Sequence, residues 1–321
     1  MRTDGNVPDN LTLPVVVGLG ELIWDLLPDG KQLGGAPTNF AYISRLLGNE
    51  AIVASRIGDD ELGREALEKL GRMGIETRYL QLDRNHPTGT VAVQIDERGE
   101  PRFAVNEGSA WDYLEWTAAW EQLALRADAV CFGTLGQRYD QARKTILSFL
   151  RLTRADAVRV FDVNLRHSFF TPDMLRRSLE LATIVKLNSE ELSMVAEMLS
   201  LDEKEEEALG QRLIALFDIK LAVITRGQHG SLLITDTNAL SHPGFQVQVK
   251  DTIGAGDAFT AALLHYYLRG ASLPVISEAA NRMGAWLTTQ TGATPEAHTQ
   301  MLENTFGDLP DIFTAGRRKF V

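Results

Sequence analysis

Asp251-Thr252-Ile253-Gly254-Ala255-Gly256-Asp257-Ala258-Phe259-Thr260-Ala261-Ala262 sets a Gly-Ala-Gly turn directly before a helix that is apolar almost all round from Ala258 to Tyr267 and stops at Gly270. A helix with no polar face is buried, so this one belongs inside a layered fold. Its first turn leaves backbone N–H groups without intrahelical partners. The glycines let an anion approach those amides at the positive end of the helix dipole. Asp257 stands at the same end, where the dipole is expected to hold its carboxylate ionised. Beside an anion cradle, a carboxylate can accept a proton from a hydroxyl attacking phosphorus. Taken alone, Asp257 suits a helix cap equally well, and the glycines a tight turn.

Upstream, short apolar β-branched runs alternate with segments of helical period, the sequence form of an α/β fold with a mostly parallel central sheet flanked by helices. Strands are expected at Val15–Gly18, Ala51–Ile57, Ala129–Gly133, Val158–Asp162, Ile184–Leu187 and Leu221–Thr225. In Pro37–Leu47 the residues Phe40, Ile43 and Leu47 share a helical face, with Pro37 suited to a first turn and Gly48 to a stop. Leu62, Ala66 and Leu70 repeat that spacing, and a helix is expected over Glu190–Leu199. Two stretches break the rhythm. Thr90–Ile95 and Arg102–Val105, joined by Glu97-Arg98-Gly99-Glu100, read as a hairpin, and Glu21–Leu27 as a strand beside it ending at Pro28-Asp29-Gly30. Together they would make a small β-sheet outside the main one, either a lid over a site or decoration. The acidic run Asp202–Glu207 reads as solvated surface.

The 321 residues, 44% hydrophobic and 23% charged, suit an ordinary globular chain with one sizeable core. A net charge of -11 argues against nucleic acid and anionic membranes as partners, and the basic cluster Arg317-Arg318-Lys319 is confined to the C-terminal tail. Cys131 is the only cysteine, so no disulfide framework or thiolate zinc cluster is possible. Between Val130 and Phe132 it reads as a small packed hydrophobe. Met1–Asn10 has no apolar core of a signal peptide and no run approaches membrane-spanning length, so the cytoplasm is expected.

Asp251–Leu264 resembles the C-terminal signature of ribokinase-like (PfkB) carbohydrate kinases. Gly34-Gly35-Ala36-Pro37-Thr38-Asn39-Phe40-Ala41 resembles their N-terminal, sugar-binding signature. Gly48 and Gly58-Asp59-Asp60-Glu61-Leu62-Gly63 follow at the family's spacing, and the resemblance covers nearly the whole chain. It implies one ribokinase-like domain over residues 1–321, with a lid built from insertions at about 21–33 and 88–108. It also implies Asp257 as catalytic base and Gly254, Ala255 and Gly256 as anion hole. Asp25, Gly34, Gly35 and Asn39 would face a sugar. Asp162-Val163-Asn164-Leu165-Arg166, at a strand's C-terminal end where α/β sheets place ligands, looks like the D-x-N-x-R element of fructokinases and ketodeoxygluconate kinases. That puts Asn164 and Arg166 near the sugar or the transferring phosphate.

Asn188 and Glu191 match the family's N-x-x-E motif, associated with hydrated Mg2+ and phosphates. A capping role at the helix start explains Asn188 as well. Thr225-Arg226-Gly227-Gln228-His229-Gly230 resembles the nucleotide-binding turn, with Arg226 reaching phosphate or solvent. Asn281, Gly284 and Ala285 fall in the helix bordering the adenine pocket of relatives. Gly292-Ala293-Thr294-Pro295 matches a loop that, with Asp251 and the backbone near Ile253, holds a monovalent cation such as K+. The implied ligands are thus ATP, Mg2+, K+ and a small sugar, and a homodimer through the lid is a further expectation.

Gly20-Glu21-Leu22-Ile23-Trp24-Asp25 and Asn164-Leu165-Arg166 look most like bacterial-type fructokinases, with 2-keto-3-deoxygluconate or another ketose or riboside as the alternative acceptor. One departure stands out: where many fructokinases carry an Arg and a His-Pro after the lid strand, this chain has Val105-Asn106-Glu107-Gly108-Ser109-Ala110-Trp111-Asp112. Other enzyme classes lack their signals. There is no G-x-x-x-x-G-K-[ST], Gly18-Leu19-Gly20 lacks the third glycine of a dinucleotide fingerprint, and no G-x-S-x-G occurs. The six histidines, at 86, 167, 229, 242, 265 and 298, show no metal-ligand spacing. The rival from another class is a catalytically silent sugar- or nucleotide-binding regulator, which loss of the base or of the anion-hole glycines would mark. All of them are present here.

Overall fold

The computed structural model describes residues 13–27, 30–95, 101–296 and 299–309. Met1–Asn10, the basic tail cluster, Pro28-Asp29 and the hairpin turn Glu97–Glu100 lie outside them.

The first third of the chain runs β1 (Val15–Leu19), β2 (Ile23–Leu27), β3 (Gly30–Gly34), α1 (Ala36–Leu46), β4 (Glu50–Ala54), β5 (Arg56–Gly58), α2 (Glu61–Arg72), β6 (Gln81–Asp83), β7 (Gly89–Ile95) and β8 (Pro101–Val105). There follow α3 (Ala118–Arg126), β9 (Ala129–Phe132), α4 (Asp140–Leu152), β10 (Val158–Asp162), α5 (Pro172–Leu181), β11 (Ile184–Asn188), α6 (Ser189–Leu199) and α7 (Glu206–Phe217). The chain then runs through β12 (Leu221–Thr225), β13 (Ser231–Ile234), β14 (Ala239–His242), α8 (Ala255–Leu268), α9 (Leu273–Thr288) and α10 (Thr299–Phe306).

Eight strands form the central sheet in the order β14-β13-β12-β11-β10-β9-β1-β4. All neighbours are parallel except β12–β13 and β13–β14. The two-residue period of the strands splits the apolar side chains between two helical layers. Val15, Val17 and Leu19 pack in the layer of α3 to α7, and Val16 packs in that of α1, α8 and α9. Since β1, β9, β10, β11 and β12 run parallel, their C-terminal ends share one edge, and the segments after them open there.

Helix α8 is buried along Ala258–Tyr266, as its sequence requires. Phe259, Leu263 and Leu264 each contribute roughly 1.5–3 kcal/mol by burial. That outweighs the approximately 1 kcal/mol that a glycine such as Gly256 costs in a helix. Cys131 is buried and burial pushes its thiol well up, as befits a packed hydrophobe.

One expectation needs correction. The run Ala51–Ile57 is two strands, because β4 is a sheet edge and the chain leaves it at Ser55 to pair β5 with β6. Arg56 holds the departure through Asp83 at 2.8 Å and the Tyr113 carbonyl at 2.6 Å. The acidic run Asp202–Glu207 lies at the surface as expected, with α7 beginning at Glu206, whose carboxylate accepts from Ser189 at 2.6 Å.

The hairpin forms as expected from β7 and β8, and β2 joins it through a parallel pairing with β7. Gly30–Gly34 adds a strand, giving a second sheet ordered β3-β2-β7-β8. Among the described residues no helix is long and apolar enough to cross a membrane.

Candidate active site

Two cavities open along the shared strand edge. The first, about 740 Å³, is lined by Asp25, Gly35, Asn39, Asn164, Arg166 and Asp257. Glu21 and His167 complete its polar lining, and Ile23, Val91, Val105 and Leu135 are apolar. The second, about 530 Å³, is lined by Thr225, Gly227, Gly230, Ala255, Asn281 and Gly284. Thr252 and Gly256 line both, so the cavities meet at the N-terminus of α8.

That meeting point is built by backbone. Gly254 precedes the helix with φ 78, a left-handed conformation that favours glycine, and a Cβ there would meet that of Ala293 at 2.5 Å. The N–H groups of Gly256 and Asp257 have no acceptor within the helix and lie beside both cavities. Asp251 bonds the loops on either side, accepting from the N–H of Ile253 at 2.9 Å and of Gly292 at 3.0 Å. It therefore braces the segments at Ile253 and Gly292 and lines neither cavity.

Asn39 Nδ2 donates to Asp257 Oδ2 at 2.8 Å, joining the N-terminal turns of α1 and α8. The other amide atom, Asn39 Oδ1, is buried without a partner, as is Glu21 Oε2. Orphaned acceptors in a polar cavity fit ligand hydroxyls. Gly34 stands just behind, at the end of β3, with Asp25 Oδ2 at 2.8 Å from where its Cβ would be.

Other expected residues sit elsewhere. Asn188 and Glu191 close a capping box at the start of α6 and line neither cavity. Glu191 accepts from the N–H of Leu165 at 3.0 Å and of Asn188 at 2.9 Å, and so ties the Asn164–Arg166 turn to α6. Arg226 is turned away from both cavities: it pairs with Glu206 at 2.7 Å and donates to Ser241 at 3.0 Å. In the segment after β8, Asp112 takes both ends of Arg138 at 2.7 Å, and the guanidinium lies 4.0 Å over Trp111. With its side chain 1% exposed, Arg138 is consumed internally, which leaves Arg166 as the arginine of the first cavity among the described residues.

Three carboxyls here are displaced. Burial, then the Asp162 charge, pushes Asp257 up to about 7, against the Asn39 hydrogen bond and the charges of Lys186 and Arg166. The helix dipole expected to keep it ionised is therefore outweighed by desolvation. Burial lifts Glu21 to about 7 as well, with Asp257 adding to the rise and backbone N–H groups opposing it. Asp25 reaches about 6 through burial and then the Asp251 charge.

Glu21, Asp162 and Lys186 received no roles from the sequence, although signals were present: Glu21 comes two residues after the apolar strand β1, and Lys186 is a cation inside the buried strand β11. Among the described residues no group of three or more His, Cys, Asp or Glu could hold a metal directly.

The displacement of Glu21 carries a stability consequence. A carboxyl raised on folding stabilises below its ordinary value of 4.5, and that contribution is lost as pH rises towards about 7. Glu21→Gln should therefore gain Tm relative to the native chain as pH goes from about 4.5 to 7.5. Calorimetry over that window checks it, and a constant Tm difference between the two would show that Glu21 does not titrate there.

Comparisons with known proteins agree with this geometry. Residues 29–300 match the family model described as pfkB family carbohydrate kinase. The chain is 30% identical over 303 residues to a sugar kinase of Pyrococcus horikoshii, covering 88% of this chain and 93% of the relative. It is 30% identical over 302 residues to a fructokinase of Vibrio alginolyticus, covering 88% and 95%. An uncharacterized sugar kinase of P. horikoshii solved in complex with ATP superposes with a TM-score of 0.75 at 28% identity, covering 91% of this chain and 97% of that one. Fructokinase of Vibrio cholerae O395 with fructose, ADP and calcium bound gives 0.75 at 26%, covering 89% and 96%.

Proposed function

Because the chain belongs to the pfkB family of carbohydrate kinases, and is a phosphotransferase using ATP, we propose that its acceptor is a ketose, fructose first, and that Asp257 is the base acting on the attacking hydroxyl. The observation that carries this reading is the meeting of the two cavities at Gly256, with Asp257 at the boundary on the first. A sugar in the first cavity and a nucleotide in the second would bring hydroxyl and γ-phosphate together at the N-terminus of α8.

The residues then divide the work. Asp25 and the orphaned Asn39 Oδ1 accept hydrogen bonds from sugar hydroxyls, while Asn39 Nδ2 orients the Asp257 carboxylate. The amides at Gly254–Asp257 receive the charge that develops on the transferring phosphoryl group. Asp257, raised to about 7, is half ionised near neutrality and is a stronger base than an ordinary aspartate. In a loose phosphoryl-transfer transition state the proton leaves late, so the carboxylate chiefly orients the hydroxyl.

Mg2+, arriving with ATP, would neutralise phosphate charge. Both Glu191 oxygens already accept backbone N–H bonds, which suits contact with the ion through water rather than direct ligation. The braced segments around Asp251–Ile253 and Gly292 suit a monovalent cation held by main-chain oxygens. The β3-β2-β7-β8 sheet would act as a lid, since Ile23 and Asp25 on β2, Val91 on β7 and Val105 on β8 already line the first cavity.

Fructose is supported by the fructokinases among the relatives, and Arg166 beside His167 would also accept a carboxylated ketose such as 2-keto-3-deoxygluconate. A coupled ADP-release assay over fructose, 2-keto-3-deoxygluconate and ribosides should give its highest kcat/KM with fructose, and the carboxylated sugar in first place would replace it. With the best acceptor, Asp25→Ala and Asn39→Ala should raise sugar KM far more than ATP KM, and hydrogen exchange in 89–95 and 101–105 should slow. Normal sugar kinetics, or unchanged exchange at saturating sugar, would remove the site or the lid respectively. Activity should need Mg2+ and rise in K+ relative to tetramethylammonium, and equal rates in the two salts at matched ionic strength would dismiss the monovalent site. Finally, Asp257→Asn should lower kcat roughly 10²–10⁴-fold with ATP affinity little changed. Near-native turnover in the folded variant would overturn the assignment of the base.

A further inference from the structure

Beneath the anion-binding turn lies a charged group that the proposed chemistry does not use. Lys186, on β11, directs its ammonium to both oxygens of Asp162 on β10, at 3.0 and 3.2 Å. The pair is buried, with side chains 11% and 5% exposed. Thr260 on α8 fastens it to the helix, donating to Asp162 Oδ2 at 3.1 Å and lying 2.8 Å from the Gly256 carbonyl. The approach is close: a Cβ on Gly256 would stand 2.9 Å from Lys186 Nζ. Gly256 therefore lies between this ammonium and the two cavities.

Burying an ion pair gives little net stability, because desolvation offsets most of the attraction. A pair kept at this position calls for another explanation. We propose that the Lys186–Asp162 pair is a positioning device for phosphoryl transfer: it supports the Gly256 turn from beneath and sets the charge that Asp257 carries when the acceptor binds. This rests on the assignment of Asp257 as the base.

The charges around Asp257 make the inference sign-definite. Asp162 from β10 works against ionisation of Asp257, while Lys186 from β11 and Arg166 from the following turn favour it. Asn39 on α1 donates its hydrogen bond to the ionised form, Glu21 after β1 is a further carboxyl, and the Cys131 thiol on β9 is held neutral by burial. The two members of the pair thus pull Asp257 in opposite directions: Asp162 adds to the rise that burial begins, and Lys186 opposes it. Lys186 itself is held protonated by the Asp162, Glu191 and Asp257 carboxylates, although burial opposes it.

The test is the acid limb of kcat/KM for the acceptor, measured from pH 5 to 9 in a Glu21→Gln background so that Glu21 does not titrate. Asp162→Asn keeps the size and the acceptor for Thr260, and should move the limb to lower pH by about half a unit or more. Lys186→Met should move it to higher pH, and the double variant should fall between the two. A residue serving only to hold the fold would alter Tm and lower kcat without displacing the limb in opposite senses. An unmoved limb in folded Asp162→Asn overturns the inference, whatever Lys186→Met does. A rise in ATP KM with an unmoved limb in Lys186→Met would do so too, since Lys186 would then act on the nucleotide directly. Asp257→Asn, assayed alongside, separates the two levels: if it is inactive while the limb stays put, only this inference fails, and if it retains turnover the assignment of the base fails first.

Discussion

The hydrogen bond from Asn39 to Asp257 spans 218 residues and joins the first turns of two helices that leave the same edge of the sheet. Both turns are glycine-led, by Gly35 and Gly254, and both line the first cavity. A polar link at this place is possible only because α1 and α8 pack side by side against one face of the parallel sheet through Phe40, Ile43, Phe259 and Leu263. The apolar layer sets the separation of the helices, and the separation brings the amide within 2.8 Å of the carboxylate.

Desolvation then decides the chemistry. The same packing that holds the two turns together removes water from Asp257 and Glu21, and burial exceeds the helix dipole in setting their charge. A surface aspartate at a helix N-terminus would be a weak base. The buried carboxylate, with Asp162 on one side and Lys186 and Arg166 on the other, has affinity for a proton in the range where it can both take and release one. The cost is borne by the fold, which keeps two carboxyls with incomplete partnership at its ligand-facing edge.

Much of this was legible from sequence because it depends on local rules. The strands Val158–Asp162 and Leu221–Thr225 were read to the residue, since buried parallel strands appear as unbroken apolar runs between helical segments. The Gly254–Gly256 turn was legible because only glycine suits both a left-handed entry and a close approach. Where the strand reading failed, at Ala51–Ile57, the run divided because the edge strand β4 has a neighbour on one side only, and β5 pairs with β6 instead.

Sequence by itself determined the layered α/β class and the buried helix with its glycine-led start, because periodicity and glycine placement act over a few positions, while Asp25, Asn39 and Asp257 were expected at the site from the resemblance to the family. Tertiary structure alone decided that two cavities meet at Gly256, that Glu21 joins the site, and that Lys186 and Asp162 lie paired beneath it. The physical reason is that burial and electrostatic partnership depend on distances between elements far apart in the chain. A carboxylate's charge follows from what surrounds it, and for Asp257 those surroundings come from β10, β11, α1 and the turn at Arg166.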